Sequence, residues 1–287
     1  MALTTMHALL EAAARSGCAV GAFNVFNFES AMAVVEAARQ TGSPCILALA
    51  ESHLKYTPLE YIGPALMRIA QDAPVPVAVQ FDHGKSMDNV RRALELGFSA
   101  VMWDGYDLEY EEKIRQTREV VSLAERYGAA VEAPLGRIGK VGEKAAPKYA
   151  HDGPTDPGLV RDFVERTGIH NLAVAIGSVH GSGRNATTLN FEILKAIGRF
   201  PGAYLSLHGG SGVSDDDYRT AISLGVAKIS IFTRVAMAAT HAMAEVLKEQ
   251  QPRFPDLLLH ARSGITNEVA GLMTLFNSKA ALKEVPM

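Results

Sequence analysis

Short apolar runs alternate with helical stretches along the whole chain, and this alternation constrains the fold more than any single motif does. The clearest run covers 74–81, Pro-Val-Pro-Val-Ala-Val-Gln-Phe, and Asp82-His83-Gly84 follows it at once. A run this short, rich in valine and bounded by proline and glycine, reads as a buried strand of a parallel sheet. Seven further runs read the same way, at 18–25, 44–50, 99–103, 129–133, 171–176, 203–207 and 227–232. Helical stretches are expected over 4–16, 29–40, 58–71, 87–96, 110–127, 159–167, 189–199 and 215–224, with two terminal helices over 234–250 and 257–276. Eight βα units with no break in composition predict an α/β fold, a single (β/α)8 TIM barrel with extra N- and C-terminal helices, forming one domain over 1–287. The segment 134–157, rich in Gly, Lys and Pro, is too long and polar for a passive connection. It reads as a lid or a disordered stretch.

Composition narrows the functional classes. The chain is 48% hydrophobic and 21% charged, as expected of a globular protein with a substantial core. A net charge of −3 and a pI near 6.3 give no footing for a nucleic-acid partner. No run approaches the ~18 apolar residues that span a bilayer, and the first residues lack the basic and apolar regions of a secretory leader. Cys18 and Cys45 both sit in apolar runs and read as buried thiols of a reducing compartment. A cytoplasmic protein with neither membrane nor nucleic-acid partners is therefore expected.

Barrels place their chemistry at the carboxyl ends of the strands. Asp82, His83, Asp104, Glu132, His180 and His208 are all expected at that rim. Three histidines from three strands can converge on one ion and leave a position open for substrate, as catalytic zinc requires. No local ligand motif such as His-Glu-x-x-His is present, so this reading depends on the barrel. One imidazole alone is as readily a loop cap, and one carboxylate a helix N-cap. Three histidines at three strand ends are harder to explain that way. The remaining six, His7, His53, His151, His170, His241 and His260, fall in helices or loops and read as surface or structural. The turn His208-Gly209-Gly210-Ser211-Gly212 opens a helix, so its backbone N–H groups and the Ser211 hydroxyl can hold a phosphate. Tight turns also need glycine for their backbone angles. The second strand-to-helix turn beside it, 230–233, favours the phosphate reading.

The segments Ala22-Phe23-Asn24, Phe81-Asp82-His83-Gly84, Val101-Met102-Trp103-Asp104-Gly105, Ala173-Val174-Ala175-Ile176-Gly177-Ser178-Val179-His180-Gly181 and Leu207-His208-Gly209-Gly210-Ser211-Gly212 run in order along nearly the whole chain. Together they resemble the class II, zinc-dependent fructose-bisphosphate and tagatose-bisphosphate aldolase family. The resemblance implies a lyase of carbohydrate metabolism, a metal-dependent aldolase. It would cleave a phosphorylated ketose, such as a ketose bisphosphate, by a retro-aldol reaction to dihydroxyacetone phosphate and an aldehyde. It implies one catalytic Zn2+ on His83, His180 and His208, polarising the ketone and stabilising the enediolate. Asp82 matches the acid/base that exchanges a proton with the hydroxyl at the breaking bond. Gly181, Gly209, Ser211 and Thr233 match positions that hold the phosphate, and Asn24 and Lys228 match further active-site positions. Arg262, in a His-Ala-Arg run, matches an arginine that serves the far phosphate of a neighbouring subunit. The family also implies a homodimer or homotetramer, a phosphorylated sugar as the small-molecule partner, and room for a monovalent cation.

Four departures bear on substrate and on a second metal site. Glu132-Ala133-Pro134 stands where the family has Glu-Ala-Glu, which removes a ligand of an auxiliary metal and leaves Asp104 without that partner. Ser230 replaces an asparagine that contacts the dihydroxyacetone part, and Ala50 replaces a frequent Ser or Thr. The lid reads Gly139-Lys140-Val141-Gly142-Glu143-Lys144 in place of Gly-Gly-x-Glu-Asp, so Glu143, one place out of register, is the nearest match to the mobile-loop base. Three readings stay open here: a phosphoketose aldolase, an aldolase with another donor or acceptor, and a non-catalytic family member. A Schiff-base lysine is disfavoured because it would leave the histidines idle.

Overall fold

The structure, a computed structural model, describes residues 2–142, 153–181, 187–198, 202–249 and 251–285. Eight parallel strands close into a barrel in sequence order. They are β1 Val20–Asn24, β2 Cys45–Ala50, β3 Val77–Gly84, β4 Ala100–Trp103, β5 Ala130–Leu135, β6 Asn171–Val174, β7 Tyr204–Leu207 and β8 Val226–Ile231. The helices are α1 Met6–Ser16, α2 Phe28–Thr41, α3 Leu59–Asp72, α4 Met87–Glu95, α5 Tyr110–Glu125, α6 Pro157–Thr167, α7 Phe191–Ile197, α8 Asp215–Ser223, α9 Thr233–Glu249 and α10 Phe254–Leu275. This is the expected TIM barrel, with α1 ahead of the first strand and α10 behind the eighth βα unit.

Alternation of side chains along each strand sorts the core into two parts. Phe23, Leu47, Val79, Phe81, Val101, Val131, Leu205 and Ile229 face outward and pack under the helices. Val20, Ala22, Ile46, Ala78, Ala100, Ala130 and Ala227 face inward at the lower end, where they meet Met6, Leu9, Leu10 and Ala13 of α1. Alanine at five of those inward positions leaves space, and α1 fills it as a plug. Thr5 caps α1 by accepting from the Ala8 N–H at 3.2 Å, and Gly17 ends it in the left-handed region.

Above this apolar floor the interior turns polar. Gln80, Glu132, Ser206 and Lys228 are all fully buried. Two residues further along the chain come Asp82, His208 and Ser230, of which His208 stands just past the end of β7. Glu132 therefore lies inside the barrel and not at the rim where the chain's pattern put it, because β5 continues through Pro134 to Leu135.

The stretch expected as a lid or a disordered segment starts in order. The Arg137 N–H donates to the Gly153 carbonyl, and Gly139 and Val141 exchange backbone bonds with His180 at 2.8 and 2.9 Å. Residues 143–152, which carry Glu143 and His151, lie outside the described residues.

Candidate active site and metal centre

A bulge in β3 sets up the site. Asp82 still pairs in register with Ala50, but the register against β4 shifts between Phe81 and Gly84. Within the shift His83 takes φ 53, a left-handed conformation that costs free energy for a residue with a Cβ. A Cβ on Gly84 would stand 2.8 Å from the Met102 carbonyl oxygen, so the bulge also needs glycine there. A regular strand would send Asp82 and His83 to opposite faces. The bulge brings both to the barrel mouth.

The other two histidines come from neighbouring turns. His208 directly follows β7, and His180 follows β6 by a short loop. Gly209 has φ 65, and a Cβ on it would lie 2.9 Å from the Val179 backbone, so glycine lets the two turns press together. Ring centroids are 5.1 Å apart for His83 and His180, 5.0 Å for His83 and His208, and 6.2 Å for His180 and His208. One ring nitrogen from each lies within 4.8 Å of the other two.

Hydrogen bonding singles out the nitrogens that remain open. His83 Nδ1–H donates to Asp104 Oδ1 at 2.8 Å, and His208 Nε2–H donates to Glu132 Oε1 at 2.6 Å. His208 Nδ1 and His180 Nε2 are buried with no hydrogen-bond partner among the described residues. His83 Nε2 stands 3.9 Å from Asp82 Oδ2. Buried orphan nitrogens are costly unless something occupies the space between them. Three imidazoles suit a borderline-soft divalent ion such as zinc, so this donor set fits a metal. Asp104 is engaged by His83 and stands 3.6 Å from Lys85 Nζ.

The charges are arranged around this space. Burial alone would push the His83 imidazole down, but Asp82 and Asp104 carry it up to about 9. Burial, with His83 and His208 alongside, pushes His180 down to about 3. Burial opposes ionisation of Asp82, yet His83, His208 and Lys228 outweigh it and hold the carboxyl below its usual range. Asp82 Oδ2 accepts from Asn24 Nδ2 at 2.8 Å, while Oδ1 has no partner among the described residues. An ionised carboxylate with one oxygen held and the other bare can exchange a proton at a defined atom.

Of the residues singled out in the chain, Asn24, His83, His180, Gly181, His208, Gly209, Ser211, Ser230 and Thr233 line one cavity of about 880 Å3. Ser211 Oγ accepts from the Arg234 N–H at 3.2 Å, and Thr233 begins α9. Lys228 is fully buried below the cavity, donating to Glu132 Oε2 at 2.6 Å and Ser230 Oγ at 3.1 Å. Arg262 stands on α10, outside that lining, where its charge reaches Glu36 of α2. The cavity also uses residues the chain did not announce: His53, Tyr106, Arg137 and Phe232. Tyr106 Oη is buried without a partner among the described residues, and burial with Asp104 pushes its phenol well above the ordinary value. Its position two residues past Asp104, at a strand end, was the signal available for it. His53, read as surface or structural, holds Nδ1 3.3 Å from the Val25 carbonyl oxygen and tilts over Phe232 with centroids 4.7 Å apart.

A closed barrel with a candidate three-histidine metal centre beside a buried carboxylate at its strand ends has the layout of a barrel enzyme's active site. Comparison with known proteins narrows this further. The family model for class II fructose-bisphosphate aldolases matches residues 4–281, and the chain belongs to that family. A fructose-bisphosphate aldolase of Thermus caldophilus is 38% identical over 307 residues, covering 96% of this chain and 98% of that protein. The uncharacterized protein YdjI of Escherichia coli K12 is 38% identical over 262 residues, covering 91% and 92%. A crystal structure of the YdjI aldolase superposes with a TM-score of 0.83 at 35% identity, covering 96% of this chain and 98% of that one. The fold and the family make this protein an aldolase, a carbon–carbon lyase. Among the described residues, no helix is long and apolar enough to cross a membrane.

Proposed function

We propose that this aldolase carries one Zn2+ on His83, His180 and His208 and cleaves a phosphorylated ketose to dihydroxyacetone phosphate and an aldehyde. The observation that carries the reading is the set of three imidazoles, each with a ring nitrogen within 4.8 Å of the other two, beside the bare Oδ1 of Asp82. Bound there, zinc supplies a Lewis acid for the ketose carbonyl. Asp82 takes the proton of the hydroxyl at the breaking bond through Oδ1, while Asn24 keeps Oδ2 in place; in the reverse direction the same atom returns it. The donor phosphate sits against the backbone of Gly181 and Gly209 and the hydroxyls of Ser211 and Thr233, with Ser230 beside the donor carbons. Lys228 supports this set from below, Glu143 serves as the base of the lid, and Arg262 serves the far phosphate in a neighbouring subunit. Residues 1–287 act as one unit, a cytoplasmic homodimer or homotetramer.

Metal content of the purified protein, loss of cleavage with a chelator and its return with zinc test this reading. Asp82→Ala should abolish turnover while zinc stays bound; an active variant removes Asp82 from the chemistry. A second reading, an aldolase with another donor or acceptor, is favoured by the cavity wall. There Ala50 and Phe232 are apolar, and Phe232 remains 39% exposed against His53. Cleavage rates across a panel of ketose mono- and bisphosphates separate the two.

A further inference from the structure

Beneath the histidines lies a group that no substrate can reach. Glu132 is fully buried in mid-barrel, and both of its oxygens are occupied. Oε1 accepts from Ser206 Oγ at 2.7 Å and from His208 Nε2 at 2.6 Å. Oε2 accepts from Gln80 Nε2 at 2.7 Å and from Lys228 Nζ at 2.6 Å. Gln80 comes from β3, Ser206 from β7 and Lys228 from β8, so three strands lock one carboxylate.

A carboxylate receiving four donors acts purely as an acceptor. His208 Nε2 therefore carries the hydrogen, and its Nδ1 turns a lone pair toward the other two imidazoles. The network has no evident value as core packing, since a buried ion pair is often no better for stability than apolar side chains. The layer below achieves burial with Ala78, Ala100, Ala130 and Ile46. What four convergent bonds provide, and alanine cannot, is one ring orientation and one tautomer.

We propose that Glu132, clamped by Lys228, Gln80 and Ser206, is a positioning residue that fixes the tautomer and ring plane of His208 and so sets the metal affinity of the three-histidine site. This rests on reading the histidines as a metal centre. A carboxylate behind a metal-bound histidine typically accounts for about 10–100-fold in metal affinity. Lys228 and Ser206 act at second hand, by holding the carboxylate.

The test is zinc affinity of the metal-free, full-length protein, measured by competition with a chromophoric chelator, together with the visible spectrum of the cobalt-substituted form. The unaltered protein should bind one ion. Glu132→Gln should bind zinc about 10–100-fold more weakly and change the cobalt spectrum, with Glu132→Asp falling between. Ser206→Ala, a gentler change, should weaken zinc roughly 2–10-fold, and it decides the matter if Glu132→Gln does not fold. Unchanged zinc affinity and cobalt spectrum in a folded variant would overturn the role of Glu132 and leave the metal centre standing. An unaltered protein that takes up no zinc would overturn the metal centre itself.

Discussion

His83 combines a left-handed backbone, a carboxylate on each side and a raised pKa, and its protonation should be measurable. Folding raises this imidazole from 6.5 to about 9, so it favours the protonated form. Its contribution to stability is fully present below pH 6.5 and is lost as pH climbs through about 9. Thermal midpoints of chelator-treated protein should fall across that window, and a flat profile would remove the effect. At pH 7 a metal must displace the proton, so zinc uptake should release about one proton per ion, visible to an indicator dye in weak buffer. Lys228→Met poses a different residue-scale question, because it leaves Glu132 buried and short of its cation. Breaking a buried pair in this way should destabilise the fold by about 3–5 kcal/mol in urea titration. His83, His180, His208 and Asp82 could all be picked out in the chain because each follows a strand-like run. The depth of Glu132 could not, since a strand pattern gives the face of a residue but not its height in a closed barrel.

At the scale of elements, the turns after β6 and β7 behave as one unit. Gly209→Ala would put a methyl group 2.9 Å from the Val179 backbone at a position with φ 65. The turns must then part, at a cost of about 1–3 kcal/mol, and zinc should bind more weakly than in the unaltered protein. Equal zinc affinity in that variant would show that the turns are not coupled. The helical spacing of Leu9, Leu10 and Ala13 was plain in the chain, whereas their role as the plug of the barrel floor was not. That role depends on alanines contributed by β3, β4, β5 and β8, far away in sequence. The bulge in β3 was likewise hidden, because Asp-His-Gly reads equally well as an ordinary strand end.

At the scale of the molecule, α9 and α10 leave much apolar surface uncovered. Met237 is 44% exposed, Leu247 55%, Phe254 67% and Leu259 61%. Where α9 crosses α10, a Cβ on Gly264 would lie 2.5 Å from the Ala238 carbonyl oxygen, so the two helices already pack tightly against each other. Exposed apolar side chains in such number usually mark contact with another chain, and Arg262, the residue proposed to serve a neighbouring site, stands on the same helix α10. Light scattering should find a homo-oligomer. Met237→Asp with Leu259→Asp should reduce it to monomers of unchanged circular dichroism, with cleavage of bisphosphates falling more than that of monophosphates. A monomeric unaltered protein would refute the assembly.

The chain by itself pointed to the barrel and to three histidines and Asp82 at its mouth, because short apolar runs and helical spacing are local signals and strand ends mark the rim. The resemblance to the aldolase family came separately, from motifs that run in order along the chain. Only the tertiary structure decided which imidazole nitrogens stay open, that Glu132 supports His208 from beneath, and that Tyr106, Arg137 and Phe232 share the cavity. Those meetings depend on the stagger between strands and on side-chain rotamers across a closed barrel, and no spacing along the chain encodes either.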